Sequence, residues 1–451
     1  VSEALTLDLI RPCLEGAIPG VMATCSDDGV PNVAYLSQVE YVDERHLALS
    51  FQFFNKTRRN VLANPQVELL VVDPRDGTLW RLRARYLRTE TEGPLFERMK
   101  AKLAGIASHT GMAGVFRLLG SDVYELTGLH AVSTPALPPP PPPRHHLVRL
   151  RRSVERLAAC TDLAGLVEAT LDTLAQEHGV THAMLLMFDA AGQRLYTVGS
   201  RGYGSSGVGS EIPLDAGVIG VAARLRCAIR INHLTLDYAY TRGIRERLTA
   251  QGGAGALESE IPWPGLAEPH SQLALPLVCA DSLQGVLFVE SSQDMRFGWD
   301  DEDALAAFAA QLAALVRGFQ LVAEAGDEGL PAAAAPAAPR PAGAPLRVRH
   351  FEADGSLFLD DDYLIKGVAG RILWHLLGEH ARQGRSEFSN RELRLAPQIG
   401  LPELGDNLEA RLLLLTRRLA ERRADLRLEK TGRGRFRLVV GRMVQLLSVP
   451  R

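Results

Sequence analysis

Cysteine is scarce in this chain and poorly placed for covalent or metal chemistry. The five cysteines (Cys13, Cys25, Cys160, Cys227 and Cys279) are scattered, with no Cys-x-x-Cys pair and no Cys/His spacing. That argues against a disulfide framework or a zinc site and favours reduced thiols in a cytoplasmic protein. No apolar run approaches the roughly 20 residues needed to span a bilayer, and the N-terminus lacks the basic-then-apolar order of a secretion signal. Neither a metal site nor a membrane partner is expected.

Proline, in contrast, is concentrated. One break runs from Pro135 to Pro143 and ends in six consecutive prolines from Pro138; a second, Pro331 to Pro345, is almost wholly Ala and Pro. Neither can pack a core, because proline lacks a ladder donor and alanine adds little apolar area. The six prolines span roughly 19 Å at about 3.1 Å per residue. With 451 residues, 46% hydrophobic and 23% charged, the chain divides into three globular modules. The boundaries are 1–134, 147–322 and 346–441, joined by linkers at 135–146 and 323–345. Spacers between folded units fit a relay from sensing modules to an output. Charge is asymmetric too: 346–451 holds 20 basic against 14 acidic residues, net +6, while the remainder is net −9. Any polyanion is expected at the C-terminal end.

In the first module, strand-like runs cover Val21 to Cys25, Pro31 to Val42, His46 to Phe53 and Val67 to Val72. Helical stretches lie near Leu5 to Leu14 and Pro94 to Gly105. Short strands at this spacing suggest a small β-barrel. The order Gly29-Val30-Pro31-Asn32-Val33, Leu47 to Phe51, Asn55-Lys56-Thr57-Arg58-Arg59-Asn60 and Asn64-Pro65 resembles the pyridoxamine 5′-phosphate oxidase-like, FMN-binding split barrel over residues 5 to 132. The resemblance implies FMN, its phosphate held by Asn55, Lys56, Thr57, Arg58 and Arg59. Ammonium, guanidinium and hydroxyl donors at a strand-to-helix junction suit a dianion. The strand carrying Asn32, Val33 and Ser37 would lie along the isoalloxazine. Such barrels pair with flavin at the shared interface, which implies a homodimer. No Arg-Leu-Pro-x-Arg substrate tail follows Tyr124, which argues against pyridoxamine phosphate oxidation.

The second module opens with apolar spacings of three and four that predict one helix from Leu147 to His178. Strands are expected at Ala183 to Phe188, Arg194 to Gly199, Glu211 to Leu214, His270 to Val278 and Leu283 to Glu290, then a helix from Asp300 to Gln320. The segments Ile212 to Ala222, Leu275-Pro276-Leu277 and Gly285 to Glu290 resemble a GAF domain, an α/β sandwich, over 147 to 322. The resemblance implies a small-molecule ligand without naming it. Cys227 reads as a buried structural thiol. Tyr238, Tyr240 and Trp263 fall in a long insertion suited to a pocket lid.

In the third module, Gly355 to Leu359 reads as a strand and Gly367 to Leu377 as a helix. Ser389 caps a second helix with Glu392 at the third position, and Asp406 with Glu409 opens a third. At about 100° per residue, Leu408, Leu412, Leu415 and Leu419 form one stripe. Arg411, Arg418 and Arg422 occupy an adjacent sector about 40° wide, with Arg417 further round. Leu426 to Lys430 and Arg435 to Val439 flank the turn Gly432-Arg433-Gly434, a hairpin with arginine at its tip. This order, with Gly432 to Leu438 closing it, resembles the winged-helix effector domain of OmpR/PhoB-type regulators over 347 to 440. The resemblance implies duplex DNA as partner. Arg411 and Arg418, with Arg417 and Arg422, would face the groove, and Arg433 and Arg435 the backbone.

The expected architecture is therefore a multidomain α+β chain: split barrel, GAF sandwich, winged helix-turn-helix. Its expected role is a transcriptional regulator under flavin and GAF control. A flavin-dependent oxidoreductase with regulatory domains is the alternative.

Overall fold

The structure is a computed structural model. It describes residues 6–15, 18–36, 38–51, 56–109, 117–132, 145–214, 216–232, 263–325, 345–401, 407–422 and 425–450. Most of both proline-rich breaks, and Ser37, Asn55, Tyr238, Tyr240 and Asp406, lie outside the described residues.

The first module is a seven-stranded antiparallel sheet. It comprises β1 (Gly20–Cys25), β2 (Pro31–Leu36), β3 (Val39–Tyr41), β4 (His46–Phe51), β5 (Gln66–Val72), β6 (Leu79–Glu90) and β7 (Gly120–Val132). The order is β2-β1-β5-β6-β7-β4-β3. The sheet curls as a half-barrel, and two register shifts between β6 and β7 supply local bends. Leu49, Leu69, Leu82 and Tyr124 close one core with Leu7 and Ile10 from a 3-10 helix, Leu7–Leu14. Helix α1 (Lys56–Ala63) follows β4, and α2 (Pro94–His109) packs Phe96 and Met99 on Ala48 and Val123. The single strand expected from Pro31 to Val42 is instead two, β2 and β3, at opposite ends of the sheet order.

The second module carries α3 (His146–Ala158) and α4 (Leu163–His178) where one helix was expected. Asp162 causes the break: its carboxylate accepts from the Gly165 N–H at 2.9 Å and starts a new helix. The six-stranded antiparallel sheet runs β10 (Glu211–Pro213), β9 (Arg194–Arg201), β8 (His182–Asp189), β13 (Ser282–Ser291), β12 (Ser271–Cys279), β11 (Ile229–Ile231). Helix α5 (Gly217–Leu225) covers one face; α4 and α6 (Trp299–Ala325) cover the other. Over Trp299–Ala323, α6 is long and apolar enough to cross a membrane, contrary to the sequence expectation. Its Leu305, Phe308, Leu312 and Val316 instead lie in the core.

The third module joins β14 (Leu346–Phe351), β15 (Ser356–Leu359) and β16 (Asp362–Ile365) to β20 (Val444–Val449), which pairs parallel to β14. This last strand carries the module beyond the expected boundary at 441. Helices α7 (Gly367–Gln383), α8 (Asn390–Leu395) and α9 (Leu408–Arg422) lie between. A short β17 (Glu387–Ser389) pairs with the hairpin of β18 (Leu426–Gly432) and β19 (Arg435–Val440). The Ser389/Glu392 capping box is present. Helix α9 is capped by Asn407, whose side chain accepts from Ala410 N–H at 3.1 Å, while Glu409 accepts from Asn390 at 2.7 Å and is no box partner.

Candidate functional site

In the first module, Asn32 on β2 and Thr57 on α1 meet, the amide donating to the hydroxyl at 2.9 Å. Buried Asn60 adds a bond to Thr24 at 3.2 Å, fixing the helix against β1. Lys56 and Arg59 are exposed at this helix start, and no acidic residue lies in its first turn. A hydroxyl, two open cations and first-turn N–H groups suit a phosphate. Val33 and Tyr35 on β2 are 67% and 84% exposed, an open apolar edge beside that corner.

Arg58 departs from the expected role. Its guanidinium turns inward, 2.5 Å from the Asp122 carboxylate and 2.8 Å from the Thr89 hydroxyl, above the Phe51 ring at 4.6 Å. Thr89 also donates to Asp122 at 2.6 Å. Burial pushes the Asp122 carboxyl above its ordinary value, opposed by these bonds from Thr89 and Arg58. Arg58 is thus committed to an internal pair, leaving Lys56, Thr57 and Arg59 as the described candidates for an anion.

The second module holds a half-open cavity of about 310 Å³ between β10, α5 and the β12–β13 face. Glu211, Trp263, Gln272, Phe288 and Glu290 line it, and no basic side chain does among the described residues. Glu290 is buried and accepts from Leu266 N–H at 2.9 Å and Gln272 at 3.2 Å. Burial raises its carboxyl above the ordinary value, against those bonds. Such a pocket suits a small molecule with an apolar body and a hydrogen-bond donor or cationic group. Trp263 was legible as a lid residue. Glu211 and Glu290 were not, because single acids at strand positions carry no spacing signal. Burial pushes the Cys227 thiol up to about 11, as a structural thiol requires.

The basic helix of the third module is largely buried. Arg411 and Arg418 are 4% and 3% exposed, so neither stands in an open row. Arg411 lies 3.0 Å from Asp189 and over the Tyr196 ring at 4.2 Å, both in the second module. Arg418 donates twice to the Leu364 carbonyl, at 3.1 and 3.0 Å, and pairs with Glu421. Arg417 donates to the Val198 carbonyl and to Glu168, each at 2.5 Å. Arg422 and Arg433 are exposed and Arg435 is half-buried.

Two family models match. Residues 7–126 match pyridoxamine 5′-phosphate oxidase, and residues 160–317 match the GAF domain. An uncharacterized protein of Methanocaldococcus jannaschii is 42% identical over 74 residues, 16% of this chain and 48% of that protein. The chain thus spans about half the length of that curated relative. The GAF domain of an Acinetobacter phosphoenolpyruvate-protein phosphotransferase is a structural neighbour at 20% identity and TM-score 0.31, covering 39% of this chain and 95% of its own. An FMN-binding protein from Syntrophomonas wolfei follows at 17% identity and TM-score 0.25, covering 29% of this chain and 91% of its own.

Proposed function

We propose that the chain is a flavin-binding sensory protein whose GAF pocket and flavin barrel control a winged-helix, DNA-binding output. The flavin reading rests on the match of residues 7–126 and on the corner where exposed Lys56 and Arg59 flank half-buried Thr57 beside β2. Those three residues would hold the phosphate, and the open Val33–Tyr35 edge would lie along the ring system in a homodimer. Bound flavin would supply redox or light-absorbing chemistry; the chain's own residues would anchor and orient it.

One observation carries the output reading: a strand layer, three helices and a closing antiparallel hairpin that puts exposed Arg433 at its turn. The net +6 of 346–451 supports it. Arg422 and Arg433 are the contacts open in this arrangement.

A visible spectrum of purified protein tests the cofactor, and a colourless chain that takes up no added FMN removes it. Duplex binding by residues 345–451 tests the output. Affinity should fall with log salt at about −0.9 per neutralised phosphate. Arg433→Ala should flatten that slope by about one unit. A fragment that binds no duplex at low salt removes the DNA reading.

A further inference from the structure

The basic helix α9 does not stand free: two of its arginines, Arg411 and Arg417, are inserted into the second module. Arg411 reaches Asp189 at the end of β8, and its guanidinium covers Tyr196 of β9. Six residues on, Arg417 enters the same sheet, bonding the Val198 carbonyl and the Glu168 carboxylate of α4. Strand β9 makes room for it with Gly199, where an added Cβ would lie 2.5 Å from the guanidinium. Lys430 of the hairpin also pairs with Asp162 at 3.3 Å. Three separate cations of the third module thus meet three carboxylates of the second.

This junction connects to the cavity. Asp189 sits opposite Arg194 in the β8–β9 pairing. Arg194 donates at 2.7 Å to Glu211, a wall residue of the cavity. The same Glu211 oxygen takes Lys366 at 3.3 Å, and Lys366 is the residue that opens helix α7 in the third module. One carboxylate therefore faces the ligand space and holds the output module together with Arg194. A ligand that draws on Glu211 acts on the network that also carries Asp189 and Arg411.

We infer that this arrangement is an autoinhibited state: the second module sequesters Arg411 and Arg417 of α9, and occupancy of the cavity beside Glu211 loosens that latch. This rests on the DNA-binding reading above. Arg418 takes no part, since its bonds lie within its own module.

The test uses the full chain with two variants. Glu168→Lys, at a 61%-exposed side chain on α4, repels Arg417 without opening a core. Glu211→Gln removes the wall charge without touching α9. Hydrogen exchange of α9 reports the latch, and anisotropy of a labelled mixed-sequence duplex reports binding. Both variants should speed exchange in α9 and tighten duplex binding about tenfold, in the range of ordinary coupling between sites. Unchanged α9 exchange in both overturns the latch, as does an effect of Glu168→Lys without one of Glu211→Gln for its link to the cavity. Wild type binding duplex as tightly as both variants also overturns it, while leaving the DNA reading intact. Faster exchange in both variants with no duplex binding supports the latch and removes the DNA reading.

Discussion

Arg58 and Asp122 form a pair whose side chains are 10% and 8% exposed. Removing one partner of such a pair strands the other's charge, so Arg58→Ala should cost about 3–5 kcal/mol in folding stability. Lys56→Ala and Arg59→Ala, at exposed positions, should change stability by less than about 0.5 kcal/mol and lower flavin retention instead. Denaturant midpoints set beside bound-flavin absorbance separate the two roles. If Arg58→Ala sheds flavin at unchanged stability, the internal-pair reading is wrong. His178 gives a second residue-scale prediction. It is buried between Ser153, whose hydroxyl lies 2.9 Å away, and the Phe308 ring. Burial, with Arg149 and His146 nearby, holds its imidazole down at about 4. The unfolded side chain titrates near 6.5, so the unfolded state binds the extra proton between these values. Stability should be complete above about pH 6.5 and fall by on the order of 3 kcal/mol as pH drops through 4. His178→Gln should remove this contribution and make the pH dependence shallower than in wild type, as read by urea unfolding at each pH.

Among elements, β20 makes the sharpest case. It pairs along the whole of β14, and Leu446 packs on the core that holds Leu346 and Val348. A chain cut after 441 would leave the β14 edge and that core open. We expect rapid proteolysis of the third module in the cut chain, against a resistant module when 442–451 is kept. Equal resistance would show β20 to be dispensable. This strand was missed because the wing resemblance ends at 440, and nothing in Val444 to Val449 marks its partner. Strand β6 was missed although its signal was present: Arg81, Arg83 and Arg85 alternate with Leu82, Ala84 and Tyr86, a period of two. The break between α3 and α4 was masked because the apolar spacing continues across it; only Asp162 records it. The hairpin, the capping box at Ser389 and the closing helix of the second module were legible, since local turn and cap chemistry decides them. Buried Arg411 was not. On a helical wheel it belongs to a polar sector, and its own place in that sector is closed by groups more than 200 residues away, the Asp189 carboxylate and the Tyr196 ring.

At the scale of the whole molecule, both junctions are built around a buried arginine. Arg411 holds the second to the third; Arg230 holds the first to the second. Arg230 is 8% exposed on its side chain, pairs with Glu15 of the first module and lies 2.6 Å from Glu302 of α6. The modules are close here, since an added Cβ on Gly105 of α2 would lie 2.8 Å from Ile229 on β11. Arg11 adds its guanidinium over the Trp299 ring at 4.0 Å. Burial alone would lower the Arg230 guanidinium, and the two carboxylates more than reverse that. Ion pairs out of solvent are screened far less by salt than surface pairs. Raising salt should therefore leave the first junction closed, with the radius of gyration in small-angle scattering unchanged. Arg230→Leu keeps an apolar stem but strands Glu15, itself 7% exposed. That loss should uncouple the first module, splitting one calorimetric transition into two, while the corner around Asn32 and Thr57, remote in sequence from this junction, keeps any anion affinity it has. A single transition of unchanged midpoint in Arg230→Leu would mean that the modules are held by their apolar contact, with the arginine incidental.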